Sequence, residues 1–450
     1  MKRPRVFYGW WVVGAGIGIA SLASMLFHYG FSAFFIPWRE QFGWSRALLS
    51  GVVSGSRLEG GLVAPVAGWF IDRYGPRRMM LLGIGMMGFG FLALSQVQSI
   101  LMLYVVFLAL LAAGSSFGTN RPVQVAAANW FVRRRGRAMG LLGAGSGLGG
   151  SGVVLFALLI SSIGWEKGAM VAGLTIWGIG LPLAMVIRHK PEQMGLLPDG
   201  DWLPAHESIA PVAGADDGGG ASPALHAPRR FWMRDPRPEL DLTLWQALRT
   251  QAFWMMAITY GTWAAMPGIT TVHIAPFLAE ELELDYVVAM GALSFFVAAS
   301  VLGRIGFGFV ADYLNVKLLL ATLFIMPGLG ILLFSEVQTL GQIPFYVVVF
   351  AVPYGGTIPL RPVLQGHFFG RKAFGSIGGF LQFVDLPATV AAPIWVGYLA
   401  DTVPGGYRLG FKIIAGIMVI AAIAILAARR PRPPLPSDQP PALFRRAQGT

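Results

Sequence analysis

Long apolar runs separated by short polar segments make up most of the chain. A helix needs about 20 mainly apolar residues to span a bilayer, and runs of that length recur twelve times. They lie near residues 8–30, 46–71, 79–97, 101–128, 137–161, 166–187, 250–277, 286–311, 317–335, 341–366, 374–400 and 407–428. Glycine and proline are frequent within them, as membrane helices tolerate. The pattern predicts an all-α integral membrane protein with 12 transmembrane helices.

The second half of the chain repeats landmarks of the first half at a constant spacing. Asp72 and Asp312 are 240 residues apart in the sequence, and so are Arg121 and Arg361. A constant offset between well-separated landmarks indicates two copies of one unit. Because each half is mostly apolar, we predict two pseudo-symmetric six-helix bundles, an architecture that many secondary transporters share.

A polar segment lies between the predicted bundles. Gly214 to Pro223 is rich in glycine and poor in apolar residues, so we expect disorder there. Leu240 to Leu248 is expected to form a short amphipathic helix on the membrane surface. The predicted organisation is an N-terminal bundle (1–188), a partly disordered cytoplasmic linker (189–249), a C-terminal bundle (250–428) and a cytoplasmic tail (429–450).

Composition and charge support a membrane protein and assign its orientation. The chain is 55% hydrophobic and 12% charged, whereas a soluble domain carries roughly 25% charged residues. It has no cysteine, which excludes disulfides and Cys-ligated metals. The net charge of +12 comes from cations gathered in alternate loops. The positive-inside rule therefore places both termini and the linker in the cytoplasm, in a multi-pass protein of the plasma (inner) membrane. We interpret Arg133 to Arg137 as an anchor at lipid headgroups and expect no nucleic-acid binding.

Two related loop motifs carry a family resemblance. G-W-F-I-D-R-Y-G-P-R-R, from Gly68 to Arg78, closely resembles the motif G-x-x-x-D-R-x-G-R-R of the major facilitator superfamily, which lies between spans two and three. A degenerate copy, G-F-V-A-D-Y-L-N-V-K, runs from Gly308 to Lys317, between spans eight and nine. The residues that we assign to gating at these loops are Gly68, Asp72, Arg73, Gly75, Arg77, Arg78 and Asp312. Asp72 is expected to cap or pair with a neighbouring helix terminus.

Three further segments are similar to monocarboxylate porters of that superfamily. They are F-Y-G-W-W-V-V (Phe7 to Val13), the junction Pro122 to Gly140, and the junction Pro393 to Phe411. Bacterial oxalate/formate exchangers are close relatives of this group. The resemblance covers nearly the whole chain except the linker and tail, and it implies transport by alternating access of two bundles.

The chain departs from the eukaryotic porters at three positions. Those porters have an acidic residue where this chain has Arg5, a lysine where it has His28, and an aspartate where it has Ser300. The resemblance therefore does not define the substrate or the proton coupling.

Ionisable residues inside predicted spans are functional candidates because burying a charge in a bilayer is costly. The set comprises His28, Arg57, Glu59, Arg121, His273, Arg304, Arg361 and Asp385. Arg304 lies eight residues before Asp312, the offset of the substrate-pairing arginine that the resemblance implies. A guanidinium can hold a carboxylate through two parallel hydrogen bonds. The alternative is an arginine that pairs with a neighbouring acid between helices.

The rest of the set receives separate predictions. Arg121 and Arg361 are equivalent under the repeat and are predicted to bind an anion, for which a dicarboxylate would be suitable, with symmetric helix packing as the alternative. His28 and Asp385 are candidates for proton coupling, although a structural histidine and a charge-balancing aspartate are equally open. His273 and Tyr354 are weaker candidates for the cavity. Arg57 and Glu59 are expected to be structural.

These observations predict a secondary transporter and no enzyme. The predicted substrate is a small carboxylate, with a monocarboxylate moved together with protons as the first expectation and an oxalate/formate-type exchanger as the alternative. A transporter-like membrane sensor and an efflux pump for hydrophobic compounds are also compatible with the sequence. The chain has no phosphate-binding loop and no catalytic or metal motif, so we expect gradients to drive it and expect no cofactor or metal.

Overall fold

The computed structural model describes residues 6–200 and 240–432, and within them all regular structure is helical. Twelve helical segments follow one another along the chain. We number them α1 (Tyr8–Phe42), α2 (Arg46–Tyr74), α3 (Pro76–Leu94), α4 (Ile100–Trp130), α5 (Arg135–Ile163), α6 (Trp165–Val186), α7 (Gln251–Trp263 and Ala265–Glu281), α8 (Tyr286–Val310), α9 (Val316–Ser335), α10 (Ile343–Phe369), α11 (Phe374–Thr402) and α12 (Gly406–Ala427). The predicted fold class, an all-α membrane protein with 12 helices, is confirmed.

Ten of these segments are long and apolar enough to cross a membrane by length and composition. The remaining two are α2 and α7. α2 carries Arg57 and Glu59 near its middle, and α7 is divided at Ala264. Both departures from a plain apolar helix occur beside the cavity described below.

Several helices are locally distorted. A π-helical turn, Ser24–His28, interrupts α1, and the backbone leaves helical geometry at Thr119 of α4, directly before Asn120. α10 contains Pro353, Pro359 and Pro362 within its length. Insertions and prolines bend a helix because they interrupt its backbone hydrogen bonds. The distortions bring polar residues of α1, α4 and α10 toward the centre of the molecule.

Two pairs of helices join the two halves of the chain. α2 packs along α11, and α5 packs along α8. Glycines make both approaches close, since a Cβ on Gly68 would overlap the carbonyl of Gly375, and one on Gly136 would overlap the carbonyl of Gly308. Small residues permit close contact between membrane helices.

The chain between α6 and α7 is described only at its two ends. A 3₁₀ turn, Pro191–Met194, follows α6, and a short helix, Leu244–Leu248, precedes α7 with Thr243 as its N-cap. The predicted disorder at 214–223 and the predicted tail beyond 432 lie outside the described residues. We call the side of the molecule where this segment leaves α6 and enters α7 the linker face.

Candidate functional site

A central cavity of about 460 Å³ lies between the two halves. Its walls come from α1, α2 and α4 on one side and from α7, α10 and α11 on the other. The histidine and the charged residues among its lining are His28, Arg57, Glu59, Arg121 and Arg361. Uncharged polar side chains, including Asn120, Gln124, Gln365 and Gln382, accompany them. This size and polarity suit a small polar solute.

Arg361 reaches the cavity from α10 and is paired with Asp385 of α11. Its Nη1 lies 2.6 Å from Asp385 Oδ2. The carboxylate is almost completely buried, with 4% of the side chain exposed, while 22% of the Arg361 side chain is exposed. The guanidinium also lies over the Tyr260 ring of α7, with Cζ 4.9 Å from the ring centroid. A cation over a tyrosine ring gains electrostatic stabilisation, so three helices converge on this one group.

Arg121 reaches the same cavity from α4 but contacts neutral acceptors. Its Nη1 donates to the carbonyl of Ala64 on α2 at 3.1 Å, and its Nη2 donates to Gln382 Oε1 on α11 at 2.6 Å. It also interacts electrostatically with Arg361, repulsively, and with Glu59, attractively. The arginines that the sequence repeat relates are therefore neighbours in one cavity, and they differ in how their charges are balanced.

Arg57 and Glu59 of α2 both line the cavity. The sequence predicts a structural role for both. Glu59 makes no ion pair among the described residues, although both of its carboxylate oxygens are buried. The Ser116 hydroxyl and the Arg121 guanidinium are close enough to interact with it electrostatically.

His28 lies at the end of the π-helical turn in α1 and faces the cavity. Its Nδ1 lies 3.2 Å from the carbonyl of Ala23. A carbonyl oxygen can only accept a hydrogen bond, so Nδ1 must carry the proton that it donates to Ala23. Nε2 takes no part in this contact. The π-helical turn displaces the ring from the regular helical path, a feature that recurs at functional sites.

Arg304 and Tyr354 are absent from the cavity lining. Arg304 Nη1 donates to the carbonyl of Gly143 on α5 at 2.8 Å, and Nη2 donates to Ser300 Oγ at 3.4 Å. Tyr354 is buried, and its ring stacks on Trp263, which does line the cavity. Arg304 therefore bridges α8 to the glycine-rich face of α5, and one aromatic layer separates Tyr354 from the cavity.

His273 is also placed outside the lining. It is buried in α7, and its Nε2 lies 2.8 Å from the carbonyl of Pro393 on α11. The carbonyl that it contacts belongs to Pro393 itself, in the proline-containing part of α11. This contact holds α7 against α11.

Asp72 and Asp312 make equivalent contacts at the linker face. Asp72 accepts hydrogen bonds from the backbone N–H groups of Gly375 and Ser376 at 2.8 and 2.7 Å, and from the Ser376 hydroxyl at 2.7 Å. It thereby caps the N-terminus of α11. Asp312 accepts from the Gly136 N–H at 2.7 Å, at the start of α5, and lies 3.0 Å from Arg137 Nε. Each aspartate from one half thus stabilises the positive helix end of the other half.

The remaining residues of the first loop motif occupy distinct positions. Gly75 has φ +86° and links α2 directly to α3, a conformation that favours glycine. Arg73 lies over the rings of Trp69 and Tyr74, at 5.5 and 5.9 Å. Arg78 is exposed and Arg77 is half-buried. No contact within the described part of the chain assigns those last two a more specific role.

One arginine of the basic segment between α4 and α5 is buried, whereas the sequence predicts that this segment anchors at lipid headgroups. Arg135 is 1% exposed. Its Nε and Nη2 donate to the carbonyls of Phe131 and Ala128 at 3.1 and 3.0 Å. A basic side chain at a helix C-terminus satisfies carbonyls that have no partner in the helix. Arg135 therefore ends α4, and the neighbouring Arg133 and Arg134 remain exposed.

Both described ends of the linker are attached to equivalent junctions. Asp199 accepts from the backbone N–H groups of Val132, Arg133 and Arg134 at 3.1, 2.8 and 3.1 Å. Asp241 accepts from those of Arg371 and Lys372 at 2.8 and 3.3 Å. These are the α4–α5 and α10–α11 junctions, which the sequence repeat relates.

Arg371 crosses between the halves at the same face. Its Nη1 donates to the carbonyl of Asn129 at 3.0 Å and lies 3.3 Å from Glu192 Oε1. Nearby, burial lowers the pKa of His189 to about 4, and the charge of Lys190 lowers it further while Glu192 opposes the shift. His189 is therefore uncharged at neutral pH. The positive charge that faces Glu192 comes from Arg371.

Sequence reasoning missed two polar residues that complete the cavity. Gln382 binds Arg121, and Tyr260 lies against Arg361. Tyr260 and Gln382 are uncharged, so the criterion of an ionisable group inside a span did not select them. Gln382 lies three residues before Asp385, on the same helical face, and that spacing was a usable signal.

Comparison with known proteins agrees on the family and the fold. The family model of the Major Facilitator Superfamily matches residues 17–385. The oxalate:formate antiporter of Oxalobacter formigenes is 24% identical over 421 residues, which cover 90% of this chain and 88% of that protein. The membrane sensor protein UhpC of Salmonella typhimurium is 26% identical over 388 residues, covering 82% and 80% of the two chains. The crystal structure of the human organic anion transporter MFSD10 (TETRAN) superposes with a TM-score of 0.63 at 12% identity, and covers 92% of this chain and 98% of that one.

Proposed function

The chain belongs to the major facilitator superfamily, and we propose that it is a secondary transporter of small organic anions. The substrate that we propose first is a monocarboxylate, which is carried together with protons. The observation that carries this proposal is the pair of guanidinium groups, Arg121 and Arg361, in one central cavity. They come from equivalent positions in the two halves. An anion held between them would contact both bundles at once, as a substrate must if it is to respond to their relative motion.

The charge of the cavity favours an anion over a neutral or cationic solute. Among the residues that the structure describes, three guanidinium groups face or border it (Arg57, Arg121 and Arg361) against two carboxylates (Glu59 and Asp385). With histidine neutral, this leaves a net charge of +1. Arg361 is already paired with Asp385, whereas the acceptors that Arg121 has within the described part of the chain are uncharged. We therefore propose that the substrate carboxylate contacts Arg121 first. The substrate then replaces Asp385 as the partner of Arg361.

The sequence-based roles of four further residues remain part of the proposal. Arg304 and Tyr354 lie next to the cavity and not in its wall. In a conformation that turns α8 inward, Arg304 would add a third guanidinium to the anion site. His28 and Asp385 are retained as titratable groups that could link proton and anion movement.

Alternating access is supported by the contacts at the linker face. Asp72 and Asp312 tie each half to a helix N-terminus of the other half, and Arg371 adds a third crossing contact. We propose that these contacts break together when the cavity opens to that face. With both termini and the linker in the cytoplasm, as the distribution of cations suggests, this would be the inward-open state.

Exchange of two anions is the second candidate mode. It is supported by the similarity to the oxalate:formate antiporter and by the two-arginine cavity, which would suit a dicarboxylate. Symport and exchange share the same site and differ in whether the empty carrier can return across the membrane.

The test is transport by the purified protein in liposomes. Labelled lactate uptake is measured with and without an inward proton gradient, and again with oxalate or formate trapped inside. We expect gradient-driven uptake, which would establish symport, while uptake only against a trapped anion would establish exchange. Absence of uptake in every arrangement would contradict the proposal for these anions.

Variants then separate the two arginine assignments. Arg121→Gln is expected to weaken anion binding by about 1.5–3 kcal/mol, because it removes a charge-assisted hydrogen bond. Arg304→Lys keeps the charge but removes the planar guanidinium, and strong loss of transport would support its role as a substrate ligand. Normal transport by Arg304→Lys together with loss by Arg121→Gln would assign the anion to the cavity pair alone.

A further inference from the structure

Two carboxyl groups and one imidazole of the described residues approach the central cavity, and two of these three groups have a direct partner. Asp385 is held by Arg361 at 2.6 Å. His28 is held by the carbonyl of Ala23 at 3.2 Å. Glu59 differs from both, because its buried carboxylate makes no ion pair among the described residues and is approached by the Ser116 hydroxyl and by the charge of Arg121.

An ionised carboxylate in that condition is unstable. Burial removes water from the charge, and the Ser116 hydroxyl and the Arg121 charge offset only part of that loss. Proton uptake removes the charge and supplies an O–H donor to a group that previously only accepted. Glu59 is therefore the carboxyl in this cavity whose surroundings most favour binding a proton.

The groups around Glu59 link that proton to an anion. From α4, Arg121 and the Ser116 hydroxyl face it, and Arg57 lies two residues away on α2 itself. From α10 and α11 come Arg361 and Asp385, which neutralise each other, and His28 lines the wall from α1. Arg121 interacts attractively with ionised Glu59, and its hydrogen-bond acceptors among the described residues are Ala64 O and Gln382 Oε1.

We propose that Glu59 is the proton-binding residue of the transport cycle and that its protonation frees the charge of Arg121 to bind the substrate carboxylate. This inference rests on the proposed function. One proton adds to a Glu59 oxygen from the aqueous side to which the cavity is open, and one anion binds at Arg121. Both leave on the other side, and no bond except that O–H bond forms or breaks.

The two ligands favour each other for an electrostatic reason. The cavity has a net charge of +1 with Glu59 ionised and +2 with Glu59 protonated, so the proton strengthens anion binding. By linkage the anion must strengthen proton binding equally. Coupling free energies of this kind correspond to about a 5- to 150-fold change in affinity. Anion affinity of the wild-type protein should therefore fall by a factor in this range as Glu59 loses its proton.

Glu59→Gln imitates the protonated side chain in shape and charge. We expect this variant to bind anion with an affinity that no longer depends on pH, to keep lactate counterflow at equal pH, and to lose accumulation driven by a proton gradient. Glu40→Gln, an exposed carboxyl at the end of α1, is the matched control and should behave as wild type. Gradient-driven accumulation by Glu59→Gln at the wild-type level would overturn the inference. So would loss of coupling in Asp385→Asn or His28→Gln with coupling retained in Glu59→Gln.

A measurement without substrate separates this inference from the proposed function. Infrared difference spectra between acid and alkaline pH report the C=O stretch of a protonated carboxyl in the purified protein. We expect a titrating band in wild type and in Asp385→Asn that is missing in Glu59→Gln. If wild type moves neither lactate nor oxalate but shows this band, the substrate proposal fails and the proton site stands. If Glu59→Gln retains every band of the wild type, the proton site is wrong regardless of transport.

Discussion

At the scale of single residues, the site depends on how each buried charge is compensated. Arg361 and Asp385 form an ion pair that is mostly withdrawn from water, and removing one partner of such a pair leaves an unpaired charge. Arg121, by contrast, has carbonyl and amide acceptors. Two arginines related by the repeat therefore have different chemistry, because the residues facing them come from different helices.

This difference predicts a non-additive pair of substitutions. Arg361→Gln leaves Asp385 buried without its partner and should cost about 3–5 kcal/mol of stability. Adding Asp385→Asn removes the stranded charge and should recover most of that loss. The measurement is the unfolding midpoint in detergent for the two single variants and the double variant. Additive losses would show that the two side chains do not stabilise one another.

At the scale of helices, the loop motifs act through helix ends. Asp72 caps α11, and Asp312 lies at the first N–H groups of α5. A carboxylate at a helix N-terminus both satisfies free N–H groups and complements the helix dipole. Because each cap reaches across to the other half, the motif stabilises the closed linker face as well as an individual helix.

Replacement of these caps should shift the conformational equilibrium. Asp72→Asn retains the shape of the side chain but removes its charge, at a cost of about 1–2 kcal/mol, which corresponds to roughly a 5- to 30-fold change in population. Spin labels on Arg78→Cys and Arg249→Cys, in a chain that has no native cysteine, would report the separation of the halves. We expect a longer distance population in Asp72→Asn and in Asp312→Asn.

Asp401→Asn provides the matched control because Asp401 is exposed at the end of α11 away from the linker face. An unchanged distance distribution in both capping variants would show that the caps do not hold the halves together.

At the scale of the whole molecule, the ends of the chain segments gather at one face. The Tyr8 hydroxyl donates to the carbonyl of Val186, and Lys317 Nζ donates to the carbonyl of Ala428. The start of α1 therefore adjoins the end of α6, and the start of α9 adjoins the end of α12. Positive charge is concentrated in the loops of this face, so it should be cytoplasmic.

Single cysteines test this orientation directly. Gln193→Cys lies on the linker face and Gln98→Cys lies in the loop between α3 and α4, at the opposite face; both positions are exposed. In intact cells a membrane-impermeant maleimide should label Gln98→Cys and should label Gln193→Cys only after lysis. The reverse pattern would invert the proposed topology.

The fold was predictable from sequence because its signals are local or periodic. Span length depends on the count of consecutive apolar residues, and the repeat is visible as the constant offset between Asp72 and Asp312. Both signals persist whatever the details of packing. The sequence therefore determined the helical membrane class, the number of segments and the family resemblance.

Tertiary structure decided which charges meet. Both lipid-facing and buried positions of a membrane helix are apolar, so sequence periodicity gives little indication of which face a helix turns inward. Arg304 was the leading candidate by its offset from Asp312, yet the rotation of α8 directs it to Gly143 of α5. The rotations of α2, α4 and α11 bring Glu59, Arg121 and Gln382 to one cavity. Those rotations depend on contacts that several helices make at once, which is information that no single segment contains.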